Sequence, residues 1–225
     1  MLEEMDESCT GQLRSDAARN RTALLAAARA VFAERGLDAP LDEIARRAGV
    51  GNATLYRRFP TRHALIEAVF AQRMAEYARA VDDALDHDDA WSGFCDYLLR
   101  ILRLQAEDRG LADLFVTTTG APGGELERLR KHAFVGTVEL VQRAKAAGEL
   151  RADFEHQDLV LVLMANAGLV HRTATAAPGG WRRVAAFILD GLHADAATVA
   201  PQGPTDDDVR TAMAGQACAT RSTHQ

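Results

Sequence analysis

Cysteine is scarce, with Cys9, Cys95 and Cys218 the only three in 225 residues. An odd number without paired spacing excludes a disulfide framework and a cysteine-based metal motif. No apolar run reaches the roughly 18 residues that a membrane span needs, so no membrane partner is expected. The first sixteen residues hold Glu3, Glu4, Asp6 and Glu7 and lack an apolar core, which argues against a secretory signal. The expected location is therefore the cytoplasm. No phosphate loop, nucleophile elbow, Cys/His cluster or internal repeat occurs. Catalytic residues, metal ligands and cofactors are thus not expected, and the chain does not read as an enzyme.

What is present is enough to fill a globular core: 48% of the residues are hydrophobic and 26% charged. The length suits one large domain or a small and a larger one. A net charge of −6 speaks against a nucleic-acid partner until its distribution is considered. From Arg14 to Arg62 there are ten arginines, no lysine and five acidic residues. The rest of the chain therefore carries more than the whole net negative charge. A basic N-terminal module on an acidic body is the footprint expected when only one end meets phosphates.

The stretch Leu41 to Arg62, LDEIARRAGVGNATLYRRFPTR, organises the chain. Leu41, Ile44, Ala45 and Ala48 recur at the period that puts apolar side chains on one face of a short helix. Gly49 breaks that helix, because glycine takes positive φ without steric cost. A second helix from Gly51 or Asn52 to Phe59 would be about eight residues, or roughly 12 Å, long, which suits a major groove about 12 Å wide. Ala45 lacks bulk where the helices would cross, and Leu55 supplies the apolar anchor of the second. Its outward residues are Asn52, Thr54, Tyr56, Arg57 and Arg58, with Arg62 just beyond. Asn and Arg can bond adenine and guanine edges bidentately, and Thr, Tyr and Arg also bond phosphate oxygens. An ordinary solvated charged face would carry the same Arg-Arg pair; the glycine turn beside it favours DNA.

The run IARRAGVGNATLYRRFPTRHAL, continued upstream by LLAAARAVFAERG, resembles the signature of the TetR family of one-component transcriptional regulators over Arg19 to Val69. The resemblance implies a dimeric DNA-binding repressor whose larger C-terminal domain binds a small molecule. Carried over by position, Gly51, Asn52, Ala53, Thr54, Tyr56, Arg57, Arg58, Thr61 and Arg62 are the DNA-binding set. Within it Asn52, Ala53, Thr54, Tyr56 and Arg57 face bases or the sugar-phosphate edge, and Arg58 and Arg62 face phosphate. One departure stands out: Ala39-Pro40 occupies the place where the family often has a capping Ser or Thr that touches phosphate. Proline suits a helix start, so the helix is kept and the side-chain contact is not.

The fold class expected is all-α, about nine helices in total: a three-helix helix-turn-helix DNA-binding domain, then a larger helical ligand-binding and dimerisation domain. Residues 1–15 are read as a flexible arm, 16–62 as the DNA-binding domain, 63–196 as the larger domain and 197–225 as a disordered tail with a short helix at Asp206 to Ala214. The arm either follows the DNA backbone through Arg14, Arg19 and Arg21 or is a solvated tail. Helix 1 is expected from near Asp16 to Arg35, with Leu24, Ala28, Val31 and Phe32 as its stripe and Gly36 as its stop. Phe59-Pro60 ends the recognition helix, and Thr61 caps the next, from Arg62 to Leu85, which links the two domains.

Further helices are expected at Trp91 to Glu107, Leu111 to Thr118, Glu125 to Ala147, Asp158 to Arg172 and Trp181 to His193. His87, Asp88 and Asp89 form a loop of solvated charges rather than a metal site. A small, largely apolar molecule is expected among Phe94, Tyr97, Leu98, Phe115 and His132, with Thr117 nearby; His132 is otherwise a polar residue at a helix edge. Leu159 to Met164 is apolar on every face. With the Trp181 helix it forms either the core of one subunit or, as the family resemblance implies, half of an intermolecular four-helix bundle. The interface set is Leu159, Leu163, Ala167, Val184, Ile188 and Leu192. The expected partners are double-stranded operator DNA, a small-molecule effector and a second copy of the chain. The alternative is a helix-turn-helix regulator controlled by a protein partner, distinguished by the lack of a closed pocket of about 300 Å3 or more.

Overall fold

The computed structural model describes the backbone of residues 3–115 and 123–219 and the side chains of residues 18–115 and 123–213. The described chain is helical apart from turns and one isolated antiparallel bridge, Leu150 to His193. It divides into two compact units, one through Val69 and one from Phe70.

In the first unit, α1 (Glu3–Arg35) packs on α2 (Leu41–Arg47), which packs on α3 (Asn52–Arg58). The start of α1 differs from expectation by more than three turns. Residues 1–15 have no apolar stripe, yet Glu3, Glu4 and Glu7 are helix formers whose negative charge suits a helix N-terminus. Propensity thus carries the helix upstream of its packed part. Leu24, Ala28, Val31 and Phe32 are its buried stripe, and Gly36, at φ +78°, ends it by donating from N to Phe32 O. Ile44, Ala45, Leu55, Phe59, Leu65 and Ile66 complete this small core.

α4 (Arg62–Leu85) contributes its first two turns to the first unit and the remainder to the second. The second unit continues with α5 (Ala90–Glu107), α6 (Arg109–Phe115), α7 (Glu125–Ala146), α8 (His156–Thr173), α9 (Gly180–Leu192), a 3-10 turn (Ala194–Ala196) and α10 (Asp206–Ala219). Residues 116–118, expected to extend the sixth helix, lie outside the described residues. The His87–Gly93 break contains a cap rather than a ligand set: Asp89 Oδ1 accepts from Ser92 N at 2.6 Å. The Ser92 side chain first, and that backbone bond second, hold the Asp89 carboxyl below its usual pKa.

α5 is the hub, packing against α6, α7, α8 and α9. Its inward face buries Phe94, Tyr97, Leu98, Ile101 and Leu102. Two polar links cross the apolar interior. Gln105 Nε2 donates to Leu163 O at 3.2 Å, and Asn166 Nδ2 donates to Gln105 Oε1 at 2.8 Å, which joins α5 to α8. Tyr97 OH bonds Thr137 Oγ1 at 2.8 Å and Tyr77 OH at 3.3 Å, which joins α5 to α7 and α4. Such groups are costly to bury unless paired, so each link fixes which helix faces meet. α8 is accordingly not apolar all round.

α10 begins at Asp206, where a short helix within the tail is expected, and runs to Ala219 rather than Ala214. Thr205 caps it, accepting from Asp208 N through Oγ1 at 3.2 Å, and Val209 is buried.

A tight helix approach lies at Gly136 on α7, where an added Cβ would meet both methyls of Val81 at 2.9 Å. Val81 is β-branched and cannot swing aside. Gly136→Ala is therefore expected to destabilise the second unit by about 1 to 3 kcal/mol through overpacking, despite the better helix propensity of alanine. Urea unfolding followed by tryptophan fluorescence checks this, since Trp91 and Trp181 both report on that unit; unchanged or raised stability would contradict it.

Candidate functional site

Gly49 sets the angle between α2 and α3. Its φ is +70°, and the turn is closed by Gly49 N donating to Arg46 O at 3.2 Å and Val50 N donating to Ala45 O at 3.1 Å. This is the Schellman arrangement, which satisfies carbonyls left open at a helix end. An added Cβ at Gly49 would touch nothing within 4 Å, so it is the backbone angle and not space that asks for glycine. Pro40 stands at the N-cap of α2 without a side-chain cap bond, as the missing Ser or Thr implies.

α3 has seven residues and one buried side chain, Leu55, which is fully enclosed. Asn52, Ala53, Tyr56, Arg57 and Arg58 are exposed, and Thr54 is half-buried. Ala53 and Arg57 lie opposite the anchor, Asn52 and Tyr56 lie on one flank between them and Leu55, and no residue of α3 is acidic. Asn20 of α1 joins Thr54, Arg57 and Arg58 around a recess of about 180 Å3. Sequence reasoning missed Asn20, because no periodicity marks a polar residue on a neighbouring helix. Phe59, buried, closes α3 by donating from N to Leu55 O at 2.8 Å. Thr61 Oγ1 accepts from Ala64 N at 3.1 Å and so caps α4.

Arg62 has a second role that the sequence did not suggest. Its Nη1 donates to Leu37 O at 2.8 Å and to Ala39 O at 2.6 Å, so the guanidinium ties the α1–α2 loop to the start of α4. The brace uses one nitrogen of a group with five N–H donors, and the expected phosphate contact would fall to the others. The arginine count likewise overstates the outward charge. Arg47 reaches Glu34 at 2.6 Å and Arg35 reaches Glu43 at 2.7 Å. The bond from Arg47 holds the Glu34 carboxyl below its ordinary pKa. The side chain of Arg14 lies outside the described residues.

The expected ligand set is not brought together. Phe94, Tyr97 and Leu98 point inward as predicted, but inward means fully packed: Phe94 stacks against Trp91 and edges Phe154, and Tyr97 is held by its two hydroxyl partners. His132 lies on the surface, its Nε2 2.7 Å from Asp82 Oδ1. Thr117 lies outside the described residues. Of the set, Phe115 borders a cavity of about 280 Å3 within the second unit whose walls come from α4, α6, α7, α8 and α10, and Tyr97 borders a separate recess of about 580 Å3 among α4, α5 and α9. The interface set divides too. Leu159 and Leu163 are 1% and 4% exposed, and both line that cavity, so they belong to the subunit's interior. Ala167, Ile188 and Leu192 are half-buried, and Val184 is exposed. Leu161 and Phe187, outside the expected set, are 40% and 59% exposed.

Among the described residues no helix is long and apolar enough to cross a membrane, and no group of three or more His, Cys, Asp or Glu could hold a metal ion. The first unit is a helix-turn-helix module, and comparison with known proteins agrees. Residues 24–69 match the model of bacterial regulatory proteins of the tetR family, and residues 89–194 match that of the C-terminal domain of SbtR-like transcriptional regulators. A TetR transcriptional regulator from Streptomyces coelicolor is 36% identical over 77% of this chain and 98% of its own, with a TM-score of 0.46. A TetR regulatory protein from Mycobacterium vanbaalenii is 34% identical over 80% and 99%, with a TM-score of 0.43. A tetR-family regulatory protein from Rhodococcus RHA1, at 19% identity over 77% and 93% and a TM-score of 0.55, shares the fold. No curated protein matches. The chain belongs to the TetR family of transcriptional regulators.

The role of Arg62 is separable from that of Arg57. Hydrogen bonds from a charged group contribute about 1.5 to 3 kcal/mol, so Arg62→Met should destabilise the first unit by about that much, whereas exposed Arg57→Ala should leave it unchanged. Amide exchange of Ile44 and Ala45 in the free protein reports both. Equal protection in the two variants would contradict the brace.

Proposed function

We propose that this regulator is a repressor that binds a pseudo-palindromic operator as a homodimer and is released when a small molecule fills the cavity of the second unit. The observation that carries the reading is the outer side of α3, with Asn52, Tyr56, Arg57 and Arg58 exposed and no carboxylate among them. A helix so equipped suits a major groove. In this reading Asn52, Ala53, Thr54, Tyr56 and Arg57 meet base or sugar-phosphate edges. Gly51, Arg58 and Thr61 meet phosphates, Gly51 through its backbone amide.

Dimerisation is supported by an apolar face on two helices that pack together. Leu161, Ala165 and Gly168 are exposed on α8, and Val184, Phe187 and Gly191 on α9. Two such helices from each of two subunits make a four-helix bundle with a two-fold axis. Two modules related by that axis would present successive major-groove faces, and hence read a dyad. The cavity, at about 280 Å3 and partly open, falls short of the closed pocket of about 300 Å3 that separates the two readings; its mostly apolar lining is what favours a metabolite over a protein partner. α4 is the natural transmitter, since its first turns belong to the DNA-facing unit and Met74 and Tyr77 line the cavity. A tilt of α4 would change the spacing of the two α3 helices, to which a dimer on fixed half-sites is sensitive.

Selection of bound duplexes from a random pool tests the reading. Sites with a dyad are expected, their half-sites one helical turn or a multiple apart. With about 4 to 6 phosphates neutralised per dimer, log K should fall against log salt with a slope of roughly −4 to −5. Phe187→Asp should give folded monomers, by sedimentation, with weakened operator binding. Leu163→Asp, buried in the subunit, should instead unfold it. Selected sites without a dyad, or a folded Phe187→Asp dimer, would contradict the proposal.

A further inference from the structure

The cavity of the second unit is floored by side chains that are themselves buried: Met74 of α4, Phe115 of α6, and Leu159 and Leu163 of α8. Its exposed lining residues are Phe134 of α7 and Asp206 and Arg210 of α10. The mouth therefore lies between α7 and α10, and whichever of these helices moves controls its width.

The two helices are held very differently. α7 is locked into the core: Gly136 lies against Val81 of α4, Thr137 Oγ1 bonds Tyr97 OH of α5 at 2.8 Å, and Arg143 Nη2 donates to His87 O at 3.0 Å. α10 packs on α8. From Asp206 to Met213 it has one buried side chain, Val209, with Met213 half-buried beyond it. The side-chain bonds described for this stretch stay within the helix and its cap: Asp208 Oδ2 accepts from Thr205 Oγ1 at 2.7 Å, and Arg210 pairs with Asp207 at 2.5 Å. Asp206 acts on His156 of α8 through its charge alone, and the buried Nδ1 of that ring has no hydrogen-bond partner. A helix seated by one apolar anchor belongs to the low-stability end of a structure, where a part opens without the whole unfolding.

The connection into α10 is built as a hinge. Arg151 Nη2 donates to Thr198 O at 2.7 Å while its Nε donates to Asp153 Oδ1 at 2.5 Å, which pins the chain after the 3-10 turn. Beyond the pin, residues 201–204 read Pro-Gln-Gly-Pro, and the first three are exposed. They border a recess of about 540 Å3 rather than fill it. Gly203 supplies backbone freedom between two prolines that restrict it. Rotation there would swing α10 from the mouth and leave the Arg151 pin in place. The match to the SbtR-like C-terminal domain ends at residue 194, so hinge and helix lie outside the matched domain. We infer that α10 is a hinged lid, seated by Val209, whose opening admits ligand to the cavity. That the lid gates the effector rests on the cavity being the effector site; that it opens does not.

Alkylation by iodoacetamide, followed by mass spectrometry of the full chain with Cys9, Cys95 and Cys218 replaced by serine, tests the lid without ligand or DNA. One reporter is Leu163→Cys on the cavity floor; the other is Leu98→Cys, fully buried on α5 and not part of the cavity lining. Val209→Asp should speed modification of Leu163→Cys about tenfold or more, in keeping with the loss of one buried valine. Val209→Ala should do so by less, and it carries the test alone if the aspartate unfolds the unit. Leu98→Cys should react at an unchanged rate in Val209→Ala. Indifference of Leu163→Cys to both lid variants would overturn the inference. Equal acceleration of both reporters by Val209→Ala would overturn it too, since the opening would then belong to the whole unit. No operator enters the measurement, so selected sites without a dyad would remove the repressor reading and leave the lid standing.

Discussion

A seven-residue helix does not hold itself together in water, because nucleation is costly and isolated helices shorter than about 12 to 15 residues are marginal. α3 exists because Leu55 is fully buried in the core of the first unit and because Gly49 turns the chain at φ +70°. Everything exposed on α3 depends on that one anchor and that one turn. If Leu55 loosened, Asn52, Tyr56, Arg57 and Arg58 would remain in the chain but lose their common orientation. The brace from Arg62 to the carbonyls of Leu37 and Ala39 serves the same end, since it fixes the loop from which α2 departs.

Charge is used sparingly in the first unit. Ten arginines between residues 14 and 62 suggest a broad positive surface, yet Arg35, Arg47 and Arg62 are engaged with groups of the same unit. What is left exposed on α3 is concentrated in the adjacent Arg57 and Arg58. A compact cationic patch beside Asn52 and Tyr56 suits the combination of phosphate and base-edge contacts better than a diffuse one, because the former orients the helix that the latter must read.

The helix-turn-helix was legible because its determinants are local: a 3.6-residue period, one obligatory glycine and an apolar anchor six residues later. Helix bounds in the second unit were legible within a few residues for the same reason. What escaped was set by distant partners. Nothing in the sequence around Arg62 points to carbonyls more than twenty residues upstream, and a motif match assigned the side chain outward. Asn166 drew no notice in the sequence, because its partner Gln105 lies 61 residues away on α5. Leu159 and Leu163 could not be told from the interface side of α8, since an all-apolar period does not say which face meets its own subunit. The cavity that Phe115 borders was not legible as a cavity, because periodicity finds inward residues but not the gaps between them. Part of its wall comes from α10, a helix expected from Asp206 but not expected to face a cavity.

The most direct measurement of the central claim, that the outer side of α3 reads DNA, is the change in backbone amide resonances when a selected operator duplex is added to the full chain. The account predicts the largest shifts from Gly51 to Arg58, with a further change at Asn20, and little change in α8 and α9 beyond that of slower tumbling. An operator complex that leaves Gly51 to Arg58 unperturbed, with its shifts gathered elsewhere, would contradict it.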